Sequence, residues 1–171
     1  MSYKKVKLKS IDNKIYEVPI DILRKAKLIS GLVEQASDED KIILLREVEG
    51  KDLEQILKYL KHYKNFEPKK IPKPFPERTD DKFLRGILND DWTFNYIQSL
   101  SIDEAISVVN AADYLRIKGL LRILAAKFSH EMSNCDVEEA REKFGIECDM
   151  NEEEIERIDR IYAAKGFKKH S

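Results

Sequence analysis

The chain has 171 residues, a formal net charge of −1, 42% hydrophobic and 37% charged residues. This length suits one domain, or a small domain with an extension, and buries roughly 70% of the unfolded surface without disulfide or metal staples. Charges of alternating sign with almost no net balance exclude the basic stripe of a nucleic-acid binder, and the apolar share excludes wholesale disorder.

Lys5–Lys9 alternates apolar and charged residues, Asp12-Asn13 is a turn pair, and Lys14–Ile20 alternates again. The pattern predicts a β-hairpin with Val6, Leu8, Ile15 and Val18 inward, although the alternation slips by one near Tyr16. Ile22–Ala36 reads as a weak helix interrupted by Gly31, Ser37–Asp40 as a polar loop, and Ile42–Leu45 as a buried strand. Leu53, Ile56, Leu57, Leu60 and Tyr63 then recur at helical spacing within Lys51–Lys64.

Asn65–Asp80 holds Pro68, Pro72, Pro74 and Pro76 among lysines. Proline at this density excludes a regular helix and an inner strand. The segment is an extended surface loop, or a ligand for an SH3-like domain. No element is predicted between Asp80 and Asp91. Asp91–Ser99 is a short helix whose Trp92, Phe94, Tyr96 and Ile97 need a surface to bury against.

Three helix starts follow. Ser101 with Glu104, Asp136 with Glu139, and Asn151 with Glu154 each have capping-box spacing. Ile102, Ala105, Ile106, Val109 and Ala112 form the first apolar stripe, and Leu120, Leu121, Leu124, Phe128 and Met132 the second. Ala140 and Phe144 mark a third helix closed by Gly145, and Ile155, Ile158, Ile161 and Tyr162 a fourth, with Gly166 near its end. The last two helices are short and narrow in their apolar stripes, and helices below about 12–15 residues are marginal alone. Either they fold back on the core or another chain covers them.

Nothing converges on chemistry. His62, His130 and His170 stand far apart, and Cys135 and Cys148 lack zinc-site spacing. No Gly-rich phosphate loop, nucleophile elbow or kinase signature occurs. The expectation is a protein with no catalytic site, cofactor or metal. Met1–Ser10 does not read as a signal peptide and no apolar run approaches about 20 residues. The chain is therefore expected in cytoplasm and nucleus, with reduced thiols and no membrane or nucleic-acid partner.

Ala111–Leu121 reads A-A-D-Y-L-R-I-K-G-L-L. It closely resembles a segment of the S-phase kinase-associated protein 1 family, the adaptors of SCF ubiquitin ligases. The opening hairpin, D-D-W-T-F-N-Y-I around Trp92, Val137–Ile146 and D-M-N-E-E-E-I-E-R-I resemble further family segments in the same order. The resemblance implies an α/β (α+β) fold. Its core is BTB/POZ-type, a small three-stranded sheet flanked by helices over residues 1–132, with the Pro-rich loop at 65–80. Residues 133–171 form a C-terminal helical extension.

As partners it implies an F-box protein, a cullin, and a homodimer when unliganded. Asp113 and Tyr114 match the cullin-contacting Asn-Tyr pair, and Arg116 stands where Asp or Asn is common. Ile106, Val109, Leu121, Phe128, Met132, Ala140, Phe144 and Ile146 match F-box-side positions, completed by Ile155, Ile158 and Tyr162. Asp113 and Arg116 also motivate a second reading, a divergent paralogue that binds F-box-like proteins in a cullin-free complex.

Overall fold

The computed structural model describes residues 4–34, 42–72, 75 and 80–164, apart from the side chain of Tyr162. Strand β1 (Lys5–Lys9) pairs antiparallel with β2 (Ile15–Pro19), setting Val6 against Val18 and Leu8 against Tyr16. A 3-10 helix (Ile20–Lys25) and α1 (Lys27–Glu34) lead away from β2. Strand β3 (Ile42–Leu44) joins β1 in parallel, Leu8 facing Ile43, so the sheet order is β2-β1-β3.

The predicted hairpin is present, with one correction. Ile15 is 56% exposed, and Tyr16 takes the position facing Leu8. The period of a strand is two, so the slip near Tyr16 turns Ile15 outward. Ile42 and Leu44 are likewise exposed while Ile43 and Leu45 are buried. The third strand is thus buried on one face only. Gly31 lies within α1 rather than interrupting it. The predicted loop at Ser37–Asp40 lies outside the described residues.

Helix α2 (Gly50–His62) begins without a cap from its own preceding residue. The hairpin turn supplies it instead: the Gly50 amide donates to Asp12 Oδ1 at 2.8 Å. Asp12 also accepts from Ser10, and these bonds hold its carboxyl below the usual range.

Helix α3 (Asp81–Leu88) was not anticipated. Asp80 caps it through the Phe83 amide at 2.7 Å, and it buries Leu84 and Leu88. Helix α4 (Asp91–Gln98) follows, capped by Asp90, which also accepts from Tyr63 at 3.2 Å and lies 2.8 Å from His62 Nε2. Trp92 stacks between His62 and Tyr96, and Phe94, Tyr96 and Ile97 are buried, as expected of core groups.

Helix α5 (Ile102–Tyr114) packs on α2 and on α6 (Lys118–Ser133). Buried Asp52 of α2 accepts from Ser107 at 2.7 Å, a polar pin between α2 and α5. The core-facing residues are Ala105, Val108, Ala111 and Ala112 on α5, with Leu120, Ile123, Leu124 and Ala126 on α6. The buried hydrophobics among the described residues form one cluster from Val6 to Ala126.

Helices α7 (Val137–Phe144) and α8 (Glu152–Ala164) follow. All three predicted capping boxes are formed, the last with Asn151 accepting from the Glu154 amide at 2.9 Å. Among the described residues, no helix is long and apolar enough to cross a membrane, and no group of three acids, histidines or cysteines is placed to hold a metal.

Candidate partner-binding surface

After His130 no described residue is buried. The core therefore ends within α6, while two more helices follow it. Local sequence explains why they form. Helix α7 has a full capping box at Asp136 and ends in a Schellman motif: Gly145 adopts φ 62°, the Ile146 amide donates to Arg141 at 2.9 Å and the Gly145 amide to Glu142 at 3.4 Å. Only glycine takes that backbone conformation freely, so Gly145 sets the direction in which Ile146 leaves the helix.

Helix α7 is fastened to α6 at two points. Phe144 meets Phe128 edge to face at 6.0 Å between centroids. Lys143 donates to Glu131 at 2.5 Å, and Glu131 also pairs with the buried Lys127 at 3.3 Å. Burial raises the Glu131 carboxyl, but the Lys143 bond and the two lysine charges outweigh it and hold it below its usual range. The Glu131 bond raises Lys143 in turn.

A depressed acid stabilises the fold above its unfolded pKa and loses that contribution as pH falls through the folded value. The α7–α6 contact should therefore hold at neutral pH and loosen below the normal carboxylate range, which amide exchange in Val137–Phe144 at pH 3 against pH 6 would show. Glu131→Gln leaves Lys127 without a counter-charge. Because Lys127 is only 4% exposed, the expected loss is about 3 kcal/mol in denaturant unfolding.

Helix α8 differs from α7. None of its described side chains is buried, and it has no packing on another element comparable with that of α5 or α6. Ile155 and Ile161 are 40% and 46% exposed, and Ile158 is half-buried. Fold-back therefore applies in part to α7 and hardly at all to α8.

The anticipated apolar positions line the outward faces of the helices. On α6, Leu121, Phe128 and Met132 share one face, opposite to the core stripe, with Leu121 and Phe128 half-buried and Met132 exposed. Ala125, which the sequence reading omits, lies on that same exposed face and is found by its i+4 spacing from Leu121. On α5, Ile106 is exposed and Val109 half-buried. Ala140 and Phe144 are half-buried and Ile146 is 48% exposed. Tyr162 belongs to α8, but its side chain and Gly166 lie outside the described residues. Val137 and Ile161 are further exposed apolar groups on α7 and α8.

Asp113, Tyr114 and Arg116 close α5. Asp113 is exposed and shares the face of Ile106 and Val109 by its i+7 spacing, whereas Tyr114 lies on a different side, half-buried against the core. The two groups of site residues thus adjoin at Asp113. Arg116 has φ 57° and occupies the glycine position of a second Schellman motif, with Ile117 donating to Ala112 and Arg116 to Asp113, both at 2.9 Å. An L-residue other than Asn or Gly costs roughly 1–2 kcal/mol there. Arg116→Asn should therefore raise stability by about 1 kcal/mol, read as a thermal midpoint a few degrees higher.

Two regions of the chain match known family domains. Residues 4–65 match the Skp1 family tetramerisation domain and residues 118–164 the Skp1 family dimerisation domain. The chain is 31% identical over 154 residues to the S-phase kinase-associated protein 1 homolog of Tetrahymena thermophila, covering 90% of this chain and 89% of that one. It is 30% identical to the SCF ubiquitin ligase complex protein SKP1a of Dictyostelium discoideum, with 90% of each covered. It is 29% identical to SKP1-like protein 17 of Arabidopsis thaliana, over 92% of this chain and 94% of that one. The three-stranded sheet, the helical core and the helical C-terminus agree with these matches along nearly the whole length, and the chain belongs to the Skp1 family, whose members are non-catalytic adaptors.

Proposed function

We propose that this chain is the adaptor of an SCF-type E3 ubiquitin ligase, holding an F-box substrate receptor with one surface and a cullin with the adjoining one. Residues 1–132 serve as the BTB/POZ-like core and 133–171 as the F-box-binding helices. The observation that carries the reading is the set of apolar side chains on the outward faces of α5 to α8, which the described residues leave exposed or only half-buried. An amphipathic partner helix laid against Leu121, Phe128, Phe144 and Ile146 would supply that cover. The interface would exceed about 2,000 Å² and be apolar, as intertwined assemblies are. Ile106, Val109, Met132, Ala140, Ile155, Ile158 and Tyr162 would extend it. Asp113, Tyr114 and Arg116 would face the cullin.

The function so assigned is proximity. By holding receptor and cullin together, the adaptor raises the effective concentration of substrate at the ligase machinery, with no bond made or broken on this subunit. The exposed Ile15, Ile42 and Leu44 on the outer side of the sheet favour self-association of the unliganded protein. The place of action is the cytoplasm and nucleus.

Arg116 and Asp113 support a second reading, in which F-box-like proteins are bound without a cullin. Arg116 puts a cation and a strained backbone at the proposed cullin face. Reconstitution separates the two. Purified chain, an F-box segment and a cullin N-terminal domain should elute together from a sizing column. A binary complex that excludes cullin supports the second reading, and failure to bind the F-box segment contradicts both.

A further inference from the structure

A cavity of about 230 Å³ lies between the 3-10 helix, α2, the start of the Pro-rich loop and the first turn of α6. Arg24, Lys25, Lys27, Arg116 and Lys118 line it, against one carboxylate, Glu67. Arg24, Lys27, Arg116 and Lys118 form no salt bridge among the described residues. Lys25 donates to Glu67 at 2.6 Å and to the Phe66 carbonyl at 2.5 Å.

Tyr59 and the first turn of α6 line the same space. Helix α6 is 16 residues long and starts at Ile117 with no side-chain cap. The amides of Lys118, Gly119 and Leu120 have no acceptor among the described residues. Behind them stands Tyr59, 1% exposed, whose buried hydroxyl has no hydrogen-bond partner. A Cβ on Gly119 would collide with that hydroxyl, so the glycine is what lets the first turn of α6 and the phenol approach each other. Burial pushes the Tyr59 phenol upward, which keeps it a donor. An unpartnered buried hydroxyl is costly and calls for an acceptor. Free amides at a helix start with a ring of cations call for an anion.

We propose that this cavity binds a small phosphate-bearing anion with at least two phosphoryl groups, of which pyrophosphate is the simplest. Size and charge set the class. The volume is several times the ~30 Å³ share of a water molecule. Five cations against one carboxylate exceed what a single phosphate ester, near −2, neutralises. Tyr59 and the α6 amides take oxygens at the inner end, and Arg116 and the lysines close over the outer end. Glu67 acts as the internal competitor, holding Lys25 when the site is empty. The site is particular to a chain with a cation at position 116, where the resemblance leads one to expect Asp or Asn.

The test is calorimetric titration of the full chain with pyrophosphate and with inorganic phosphate, at constant ionic strength. One site per chain is expected, with pyrophosphate roughly ten-fold tighter. Tyr59→Phe should weaken it roughly ten-fold, while the free variant folds as well as or better than the parent, since an unpaired hydroxyl is removed. Arg116→Asn should weaken binding, and Glu67→Gln should tighten it. No binding of pyrophosphate overturns the proposal. So does binding that Tyr59→Phe leaves unchanged, which marks diffuse attraction to surface lysines.

Discussion

Ending the chain at Asn134 is expected to leave a domain that unfolds cooperatively, near the full-length midpoint, and captures no F-box protein. The first half of that result rests on burial. Among the described residues, every buried hydrophobic lies between Val6 and Ala126, and α7 and α8 contribute none. What the shortened chain loses on folding is the Phe128–Phe144 contact and the Lys143–Glu131 pair, while Glu131 keeps Lys127. The second half rests on anchors. Phe144, Ile146, Ile155 and Ile158 would each contribute about 1.5–3 kcal/mol when fully covered, and losing even two of them weakens binding by more than about 100-fold. Phe144→Ala in the full chain should give a smaller loss, about ten- to a hundred-fold, with little change in stability. Capture that survives the truncation would contradict the division of the chain at residue 132.

Tyr114→Lys should weaken cullin binding about 30-fold while F-box binding stays within about two-fold. A well-covered tyrosine at an interface commonly contributes about 2 kcal/mol, and each 1.4 kcal/mol is a factor of ten. Tyr114 is the better probe because it lies off the face that Ile106 and Val109 share. Asp113 lies on that face, so Asp113→Lys is expected to disturb both partners. Titration of each partner separately decides the matter. Equal losses for Tyr114→Lys would refute two surfaces.

Local signals carried much of the fold. The capping residues Ser101, Asp136 and Asn151 start helices where their spacing predicts, and Gly145 ends one, because these bonds are made within four residues and need no tertiary context. Helix α3 escaped the reading because the prolines before it dominate the local pattern and Gly86 breaks its periodicity. Its signal was present in the Asp80 cap and in Leu84 and Leu88 four apart.

The choice of face was less legible. Helices α5 and α6 carry apolar residues around most of their circumference, and periodicity alone does not say which stripe meets the core. The stripe through Val108, Ala111 and Ile123 is the buried one, which leaves Ile106, Leu121 and Met132 outside. The same ambiguity turned Ile15, Ile42 and Leu44 outward. The left-handed backbone at Arg116 had no sequence signal, because a Schellman position is recognised by its usual glycine or asparagine and here holds neither. Resemblance to known adaptors, rather than periodicity, pointed to the outward row as a binding surface.

On the proposed function, α7 and α8 complete themselves only on a partner. Amide hydrogen exchange across Glu152–Ala164, in the free chain and in its complex with an F-box segment, tests it most directly. Exchange within seconds is expected in the free chain, since a 13-residue helix with no buried side chain among those described is marginal in water. On binding, protection should rise by at least about a hundred-fold, together with protection of α7. Strong protection in the free monomer, or no change on adding the F-box segment, would contradict it.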